Sequence, residues 1–330
     1  GADWYRGTAD AMYQNMSVLK KLQNDYILIL SGDHVYNMDY REFLDFHIGA
    51  GKPASLAVID VPITMCREFG IATVDGNGRI TGFEEKPLKT ESTLASMGIY
   101  IFDRKFLISV LEGLKQDFQD LDFGKHIIPE LVLRGKISAF RYSGYWLDIG
   151  TLKSYYRASL ALLAARPLLD IDNRGMTVLT VPDDNPPTMI SAGSNVRNSL
   201  ICNGCRINGS VVNSILSPGV IIEEGSTVEN SIILHGCRIM KGARVRSAII
   251  DKMSVVGRSC SVGEGNSSTP NGIQPDMLDF GLTLVGRKTM IPAGMRIGTN
   301  CLVSGSARNG RVPKRDIGDG GSYVAPDIAI

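Results

Sequence analysis

The period of the hydrophobic pattern changes about halfway along the chain. Up to about residue 165, short continuous apolar runs alternate with longer segments whose apolar residues recur every three or four positions. A continuous apolar run bounded by turn residues is typical of a strand covered on both faces, and helical spacing indicates one buried helix face. This alternation predicts a first domain, residues 1–165, with an α/β fold around a mostly parallel sheet.

The individual elements of this domain follow from the runs and the residues that bound them. Tyr26–Leu30 ends in Ser31-Gly32-Asp33 and is predicted to be a strand buried on both faces. Thr8 is predicted to cap a first helix that carries Met12, Met16, Leu19 and Leu22 on one face. The other predicted strands are Leu56–Val61, Ile71–Asp75, Arg79–Glu85, Met97–Phe102 and Ile137–Tyr142. The other predicted helices are Tyr40–Ala50, Arg104–Leu114, Gly124–Leu133 and Leu152–Ala164.

Two short repeats run together through the second half. Glycine followed three residues later by an aliphatic residue recurs there, and so does a four-residue signature that begins with Asn or Ser. Roughly 17 residues per cycle predicts a left-handed parallel β-helix over residues 191–330. Residues 264–280 are predicted to interrupt its coils, and the Pro-containing segment 166–190 is predicted to be a linker. The signature occurs at Asn198–Ile201, Asn213–Leu216, Asn230–Ile233 and Ser247–Ile250.

The composition says little about the fold, but it excludes several classes of binding partner. A length of 330 residues, 44% of them hydrophobic, suits two domains with separate cores. The 35 basic and 34 acidic side chains give a net charge of +1, which argues against a nucleic-acid or membrane-surface partner. No apolar run reaches the 18 residues or so of a membrane span. Six cysteines are too few for a disulfide framework, so we expect a reduced, cytoplasmic protein.

A carboxylate lies just past the end of a predicted central strand, in Ser31-Gly32-Asp33-His34. Open α/β sheets bind ligands at the carboxyl ends of their strands. Asp33 there suits Mg²⁺, which is usually held by one or two carboxylates together with phosphate oxygens and water. The alternative is an aspartate that only caps the following turn, and the isolated motif favours neither.

Two charged residues close a later strand, in Glu85-Lys86-Pro87. Lys86, fixed by Pro87, can project a point charge toward a phosphate group, and Glu85 can accept hydrogen bonds from sugar hydroxyls. Taken alone, the motif is more simply an exposed charged turn.

Two aromatic motifs complete the candidate chemistry. Trp146 and Asp148 lie ahead of a helix start in Tyr145–Thr151, where the ring can pack on a sugar and the carboxylate can bind a metal. A core tryptophan and a helix cap are the structural alternatives. Tyr5 precedes another helix in Trp4-Tyr5-Arg6-Gly7, where it can stack on a base while backbone N–H groups approach phosphate, although a plain helix entry is simpler.

The second half offers weaker candidates. Cys202-Asn-Gly-Cys205 has half the spacing of a zinc site, but it lies inside the coil repeats, so both cysteines are predicted to be buried apolar residues. His235 directly follows a repeat strand and is predicted to lie in a turn rather than to serve as the base of an acyltransferase.

These motifs, in this order, resemble those of sugar-nucleotide pyrophosphorylases, and more closely the bacterial ADP-glucose pyrophosphorylases, or glucose-1-phosphate adenylyltransferases. The resemblance covers essentially the whole chain, including the β-helix. The matching stretches are Trp4–Ala11, Leu30–His34, Phe69–Ile71, Phe83–Pro87, Ala95–Tyr100, Asp122–Lys125 and Tyr145–Thr151.

The resemblance implies a Rossmann-like nucleotidyltransferase domain that converts ATP and glucose 1-phosphate into ADP-glucose and pyrophosphate, for glycogen synthesis. It implies that Asp33 and Asp148 hold a catalytic Mg²⁺ and that Tyr5 lies in the nucleotide-sugar site. It also implies a homotetramer and a small-molecule allosteric effector. The residues that it places around glucose 1-phosphate are Gly70, Glu85, Lys86 (on the phosphate), Ser96, Asp122 and Trp146.

One family feature does not occur in this sequence. Members begin with a Gly-rich loop of the type GGxGxRLxxLT, which cradles the triphosphate, and these 330 residues contain none. The resemblance therefore implies a member that lacks roughly its first 100 residues. It predicts little ADP-glucose synthesis by these residues alone.

Three alternatives remain open at this point. A UDP- or dTDP-glucose enzyme would share the motifs around Asp33 and Lys86, but not Trp4–Ala11 and Ala95–Tyr100. A non-catalytic regulatory subunit fits the absence of the Gly-rich loop, whereas the presence of Asp33, Lys86 and Asp148 favours catalysis. A hexapeptide acyltransferase would carry its polar motifs in the coils, and here they lie outside them.

Overall fold

The computed structural model describes residues 4–76, 78–169, 171, 179–181 and 184–328. The chain divides into two units, Gly1–Leu147 and Asp148–Ile330. Part of the predicted linker, residues 170, 172–178 and 182–183, lies outside the described residues.

The elements up to the division are α1 (Thr8–Gln14), α2 (Met16–Lys21), β1 (Tyr26–Ile29), β2 (His34–Tyr36), α3 (Tyr40–Ala50), β3 (Ala54–Asp60), a 3₁₀ segment (Ile63–Glu68), β4 (Gly70–Val74), β5 (Ile80–Glu85), β6 (Leu94–Asp103), α4 (Arg104–Leu114), a π-helical turn (Phe123–Ile127), α5 (Ile128–Leu133), β7 (Ile137–Arg141) and β8 (Trp146–Asp148).

The main sheet of the first unit is built on β6. One edge of β6 pairs with β3, and the other edge pairs with β1 at one end and with β4 at the other. β7 extends the sheet beyond β3, and β5 extends it beyond β4. β1, β3, β4 and β7 run in one direction, whereas β5 and β6 run against them. The α/β fold is confirmed, but the described pairs in this sheet are antiparallel apart from β3 with β7, because β6 lies between strands that run the other way.

The central strands are apolar throughout because both sheet faces are covered. On β3, Leu56 and Val58 belong to the cluster that packs against α1, α2, α4 and α5. Ala57, between them, belongs to the cluster on the opposite face, which contains Phe43 from α3. On β6, Phe102 faces the first cluster, and its neighbour Ile101 faces the second. Side chains that alternate between two buried faces produce the continuous apolar runs seen in the sequence.

β1 does not fit the prediction of a strand buried on both faces. Ile27 and Ile29 pack against the cluster under α1, α2 and α4. Tyr26, Leu28 and Leu30, which point the other way, keep 37%, 38% and 43% of their surface exposed. The prediction is wrong for the described chain. On that face the Tyr26 ring meets the His47 ring of α3 edge-on, but Leu28 and Leu30 stay largely exposed, and β6 is the one described strand that pairs with β1.

Two of the predicted helices agree with the structure at both ends, and the others differ from it, including Leu152–Ala164, which ends at Ala161. α3 and α4 have the predicted bounds. Thr8 is not the cap of α1: Gly7 precedes the helix, and Thr8 is its first residue. The predicted first helix also breaks at Asn15, between α1 and α2. The predicted helix Gly124–Leu133 begins as a π-helical turn and becomes α-helical at α5.

The second unit begins with α6 (Leu152–Ala161), followed by a three-sided parallel β-helix. The first face consists of β9 (Met189–Ile190), β12 (Arg206–Ile207), β15 (Ile221–Ile222), β18 (Arg238–Ile239), β21 (Val255–Val256) and β24 (Met290–Ile291). The second consists of β10 (Asn195–Arg197), β13 (Ser210–Val212), β16 (Thr227–Glu229), β19 (Arg244–Arg246), β22 (Ser261–Val262) and β25 (Arg296–Ile297). The third consists of β11 (Leu200–Ile201), β14 (Ile215–Leu216), β17 (Ile232–Ile233), β20 (Ala248–Ile250), β23 (Thr283–Val285), β26 (Leu302–Ser304) and β27 (Ser322–Val324).

α6 belongs to the β-helix unit, although its sequence predicts a helix of the first domain, residues 1–165. Its apolar face packs against the third face of the β-helix and against the excursion between β22 and β23. The Tyr156 hydroxyl donates a hydrogen bond of 2.6 Å to the Asn230 carbonyl. The side chains of this cluster are Leu152, Tyr155, Tyr156 and Leu160 from α6, with Ile232, Ile249, Leu278 and Leu282.

The repeated Asn/Ser signature marks one corner of the coils. Asn198, Asn213, Asn230 and Ser247 all have φ between 43° and 48°, in the left-handed region that Asn tolerates best among residues with a Cβ. The side-chain amide of Asn198 donates a hydrogen bond of 2.9 Å to the side-chain oxygen of Asn213. The side-chain amide of Asn213 donates in the same way to that of Asn230. The signature is therefore a stacked amide ladder that turns the chain and ties neighbouring coils together.

The predicted interruption at 264–280 is confirmed, and it is anchored rather than loose. It lies between β22 and β23. Asn271, which is 1% exposed, donates to the backbone oxygens of Asn300, Gly320 and Gly321. A buried amide with this many partners holds an irregular segment against the last coils.

The cysteines and His235 differ in outcome. Cys205 is buried as predicted, whereas Cys202 is exposed, because it lies outside the strand at a coil corner. His235 lies in an exposed turn after β17, as predicted. Among the described residues, no helix has both the length and the apolar content needed to span a bilayer.

We predict that Asn213→Ala lowers the free energy of unfolding of the β-helix by about 2–5 kcal/mol. The variant loses two side-chain hydrogen bonds, at about 0.5–1.5 kcal/mol each, and forces a left-handed backbone on alanine, at about 1–2 kcal/mol. Asn213→Gly loses the same bonds without that strain and is the matched control. Guanidinium unfolding followed by circular dichroism should show a smaller loss for glycine, and equal losses would contradict the corner argument.

Candidate active site

Glu85, the last residue of β5, lies in a niche made by two glycines. It pairs with Gly70 across the β4–β5 register. A Cβ on Gly70 would come within 2.7 Å of the Glu85 Oε2, and a Cβ on Gly124 would also collide with that oxygen. The carboxylate therefore occupies space that any larger residue at these two positions would fill. The predicted site residues Gly70 and Glu85 are thus brought together.

Asp122 lies beside this niche and is held by several donors. The Thr8 hydroxyl donates a hydrogen bond of 2.8 Å to the Asp122 Oδ2, and the Lys125 backbone N–H donates one of 3.1 Å to the Asp122 Oδ1. The Asp122 backbone N–H in turn donates 3.0 Å to Nδ1 of His126, whose ring stacks on Phe118. The carboxylate is thereby fixed at the start of the π-helical turn.

The two neighbouring carboxyl groups have pKa values shifted in opposite directions. For Glu85, burial and the charge of Asp122 raise the pKa, and the nearby cations Lys86 and Lys125 offset this only in part. For Asp122, burial also acts to raise the pKa, but hydrogen bonds from Thr8, Lys125 and Gly124 outweigh it, so the pKa is lowered. Such a pair keeps Asp122 ionised and makes Glu85 the easier of the two to protonate.

An aromatic floor lies under the pair. Tyr100 on β6 is 7% exposed and stacks on Phe123, with ring centroids 5.1 Å apart. Burial raises the pKa of the Tyr100 hydroxyl well above its ordinary value, a hydrogen bond with Ser96 lowers it, and the charges of Glu85 and Asp122 raise it further. The Ser96 hydroxyl also accepts a hydrogen bond of 3.2 Å from the Gly98 N–H. Ser96 is therefore connected to the Glu85 group through Tyr100.

Lys86 has an unusual backbone for its position. Its φ is 49°, although it carries a side chain and precedes Pro87. Its N–H donates 3.0 Å to the Phe69 carbonyl, and its side chain is exposed. A left-handed residue ahead of proline is held there by its surroundings, and such positions cluster at functional sites. The structure turns Lys86 out of the strand immediately after the niche.

Asp33 belongs to a second group, around β2. Its side chain is 60% exposed, and its Oδ1 accepts a hydrogen bond of 2.8 Å from the Ser31 hydroxyl. The His34 Nδ1 lies 2.8 Å from the Met97 carbonyl, which requires that nitrogen to be the donor. The 3.3 Å approach of the Trp146 Nε1 to the same nitrogen is therefore a ring contact rather than a hydrogen bond.

Trp146 is a core residue in this arrangement. It is 9% exposed, and its ring meets those of His34 and Phe69 edge-on, with centroids 5.1 Å apart in each pair. β8, which begins with Trp146, pairs with β2. The interpretation of Trp146 as a core residue is confirmed, and its contact with a sugar stays a prediction.

A bulge on β6 connects the two groups. The β3–β6 register shifts between Leu56, opposite Tyr100, and Val58, opposite Ser96. Gly98 in the bulge has a φ of 64°, and a Cβ there would come within 3.3 Å of the His34 ring. Bulges of this kind re-aim side chains beside active sites. Here the bulge brings the backbone of β6 against the segment that carries Asp33.

Asp148 ends β8 and is the first residue of the second unit. Its Oδ1 accepts a hydrogen bond of 2.6 Å from the Gly150 N–H. It does not cap α6: Thr151 does, through a reciprocal capping box with Ser154. Shared metal binding by Asp33 and Asp148 stays a prediction.

Tyr5 and Trp4 extend into solvent ahead of α1. Trp4 is 90% exposed and Tyr5 is 58% exposed. Asn15 donates 3.3 Å to the Tyr5 hydroxyl. Two exposed aromatic rings in sequence provide stacking surfaces of the kind that the predicted contact with a base needs.

Sequence reasoning missed three contributors to the Glu85 group. Thr8 was interpreted as a helix cap, but it holds Asp122. Lys125 and Tyr100 lie inside motifs already singled out, Asp122–Lys125 and Ala95–Tyr100, yet neither was selected. The available signal was the mixture of one cation, one carboxylate and two aromatic rings within these two motifs.

Comparison with known proteins accounts for both halves of the chain. Residues 2–165 match the nucleotidyl transferase family, and residues 188–272 match the GlmU-like, C-terminal hexapeptide family. The chain is 38% identical over 301 residues to a glucose-1-phosphate adenylyltransferase from Fervidobacterium nodosum, covering 91% of this chain and 72% of the relative. It is 39% identical over 325 residues to one from Pseudothermotoga lettingae, covering 98% and 77%. It is 39% identical over 312 residues to one from Thermomicrobium roseum, covering 94% and 73%.

We predict that Glu85→Gln stabilises the protein at neutral pH. A carboxyl whose folded pKa is raised favours its protonated form on folding, so the ionised form costs stability above that pKa. The cost shrinks as pH falls through the raised pKa and vanishes below the ordinary value, where both folded and unfolded states are protonated. Thermal unfolding of the two proteins should therefore differ at pH 7 and converge near pH 4. A difference that grows on acidification would contradict the assigned shift.

Proposed function

Because the chain belongs to the glucose-1-phosphate adenylyltransferase family, we propose that it transfers the adenylyl group of ATP to glucose 1-phosphate, forming ADP-glucose and pyrophosphate. The observation that carries this proposal is the convergence of Glu85, Asp122 and the exposed Lys86 on one side of the sheet, above a buried aromatic pair. That combination has the chemistry to recognise a phosphorylated sugar.

Each part of glucose 1-phosphate has a matching group in this set. Sugar hydroxyls are hydrogen-bond donors, and the carboxylates of Glu85 and Asp122 are acceptors. Fixed donors already orient the carboxylate of Asp122. The phosphate is an anion, and Lys86 supplies a cation on a backbone fixed by Pro87. Tyr100 and Phe123 close the floor, which excludes water beneath the sugar.

The reaction needs placement more than covalent chemistry from the protein. A phosphate oxygen of glucose 1-phosphate attacks the α-phosphorus of ATP, and the bond to the bridging oxygen of the departing pyrophosphate breaks in line with it. Lys86 would hold the attacking phosphate so that its oxygen is aligned. Fixing two anionic reactants in one geometry accounts for much of the acceleration in reactions of this type.

The metal assignment rests on donor chemistry. Two carboxylates suit Mg²⁺, which usually retains water and takes phosphate oxygens instead of being enclosed by protein ligands. Asp33 fits this role because its side chain reaches solvent while the Ser31 hydroxyl orients one of its oxygens. Asp33 and Asp148 would hold the ion, which when bound neutralises charge on the phosphates.

The nucleotide side is assigned to the segment ahead of α1. Tyr5 would stack on the adenine, since its ring is exposed and its hydroxyl is held by Asn15. The role in glycogen synthesis, the homotetramer and the small-molecule effector belong to the same proposal and derive from the family resemblance.

We predict that Asp33→Asn lowers turnover by roughly 10²–10⁴ while leaving the thermal unfolding temperature nearly unchanged, because the lost interaction is made mainly in the transition state. The assay measures ADP-glucose formed by the full-length protein from ATP and glucose 1-phosphate, with and without Mg²⁺. Asp45→Asn, an exposed change on α3, is the control. Unchanged turnover in Asp33→Asn would remove this residue from catalysis, and faster synthesis with UTP or dTTP would change the assigned nucleotide.

We predict that Lys86→Gln raises the KM for glucose 1-phosphate by roughly 10–150-fold and that for ATP far less. The estimate converts a charge-assisted hydrogen bond of about 1.5–3 kcal/mol. Lys89→Gln removes a second exposed cation from the same turn region and should leave both constants nearly unchanged. Equal increases for both substrates in Lys86→Gln would indicate a structural role instead.

A further inference from the structure

An ion pair with a buried carboxylate lies beneath the segment that carries Tyr5. Asp10 is on α1, and its side chain is 2% exposed. Its Oδ1 accepts a hydrogen bond of 2.6 Å from the Lys115 Nζ, at the end of α4. Its Oδ2 accepts 2.7 Å from the Gln14 amide and 3.0 Å from the Arg6 backbone N–H. Every oxygen of this carboxylate therefore has a partner.

This pair is not needed to build a hydrophobic core. A buried charge costs desolvation energy, and apolar side chains of similar volume often replace buried ion pairs without loss of stability. Leu121 and Phe123 already supply apolar contacts in the hydrophobic cluster that packs against α1, α2, α4 and α5. What an apolar residue at position 10 would lack is an acceptor for the Arg6 N–H.

The Arg6 contact fixes the backbone directly after Tyr5. Trp4 and Tyr5 are mostly exposed, so their rings have little packing of their own to hold them. The described hydrogen-bond anchors of Trp4–Arg6, ahead of the first helical turn, are the Asp10 bond to Arg6, a side-chain bond from Arg6 to Gln119, and the bond from Asn15 to the Tyr5 hydroxyl. Of these, the Asp10 bond acts on the main chain and comes from a buried group.

Lys115 ties the same carboxylate to a second segment. Its Nζ also donates to the Gln119 carbonyl and lies 5.6 Å from the Tyr13 ring centroid. The Asp10 N–H donates 2.8 Å to the Leu121 carbonyl, next to Asp122. The pair thus joins the Trp4–Gly7 segment to the chain that leads into the sugar-side carboxylate.

We propose that Asp10 is a positioning residue for nucleotide binding: paired with Lys115, it holds the Trp4–Gly7 segment so that Tyr5 is ordered before ATP arrives. This rests on the proposed function, because it assigns the nucleotide to that segment. Asp10 does not touch substrate, and it acts through the Arg6 backbone. Pre-ordering a binding segment raises affinity because less conformational entropy is lost on binding.

The test compares Asp10→Ala with Asp10→Asn in the full-length protein. Asp10→Ala removes the acceptor for the Arg6 N–H and should raise the KM for ATP at least tenfold, with the KM for glucose 1-phosphate changed less than threefold. Asp10→Asn keeps one acceptor oxygen and should recover most of the affinity for ATP. Ser55→Ala, which removes a buried 2.8 Å hydrogen bond to His47 in the same unit, is the control for general destabilisation. It should leave both constants within about twofold.

A second readout does not depend on turnover. These 330 residues contain two tryptophans, so with Trp146 and any tryptophan outside these residues replaced by phenylalanine, Trp4 alone reports on the segment. Asp10→Ala should lower the fluorescence anisotropy of Trp4, and Asp10→Asn should restore it. Unchanged anisotropy, or equal increases of both KM values, would overturn the positioning role. If the parent protein makes no ADP-glucose, the proposed function fails, and the anisotropy still decides whether Asp10 orders the segment.

Discussion

Burial of β6 on both faces is the constraint from which the first unit follows. Its side chains alternate between two apolar clusters, so helices must cover both sides of the sheet. Its two edges hold β3 on one side and β1 and β4 on the other. A strand in this position cannot shift its register by one residue without exchanging the two clusters. The residues that depart from regular pairing on β6 are therefore fixed in space as firmly as those that pair.

The candidate site uses that rigidity. The bulge around Gly98 lies between Ser96 and Tyr100, with the His34 ring on one side. Ser96 and Tyr100 lead to the Glu85 niche, and the His34 segment carries Asp33. One strand thus connects the group assigned to the sugar phosphate with the group assigned to the metal. Small changes in the packing of β6 would disturb both groups together.

The two units are stabilised in different ways. In the first, contacts join residues far apart in sequence, such as Asp10 with Lys115 and Thr8 with Asp122. In the second, each coil pairs with the coil before and after it, and the amide ladder repeats the same bond between neighbours. A change in a coil should therefore have local effects, whereas a change under the candidate site should reach several segments.

The sequence by itself determined whatever depends on local periodicity. Helical spacing of apolar residues predicted α3 and α4, and continuous apolar runs predicted the central strands. The repeated Asn/Ser signature predicted the β-helix. Each of these patterns reports the burial of residues close in sequence. The family resemblance carried by short motifs implied that Glu85 and Asp122 both lie around glucose 1-phosphate. The tertiary structure decided what depends on distant partners. Thr8 alone indicates a helix cap, because its partner Asp122 lies 114 residues away. The apolar run of β1 indicates a fully covered strand, because the run does not show which faces are packed. The direction of β6 and the opposite pKa shifts of Glu85 and Asp122 were likewise decided by contacts that the linear order of residues does not contain.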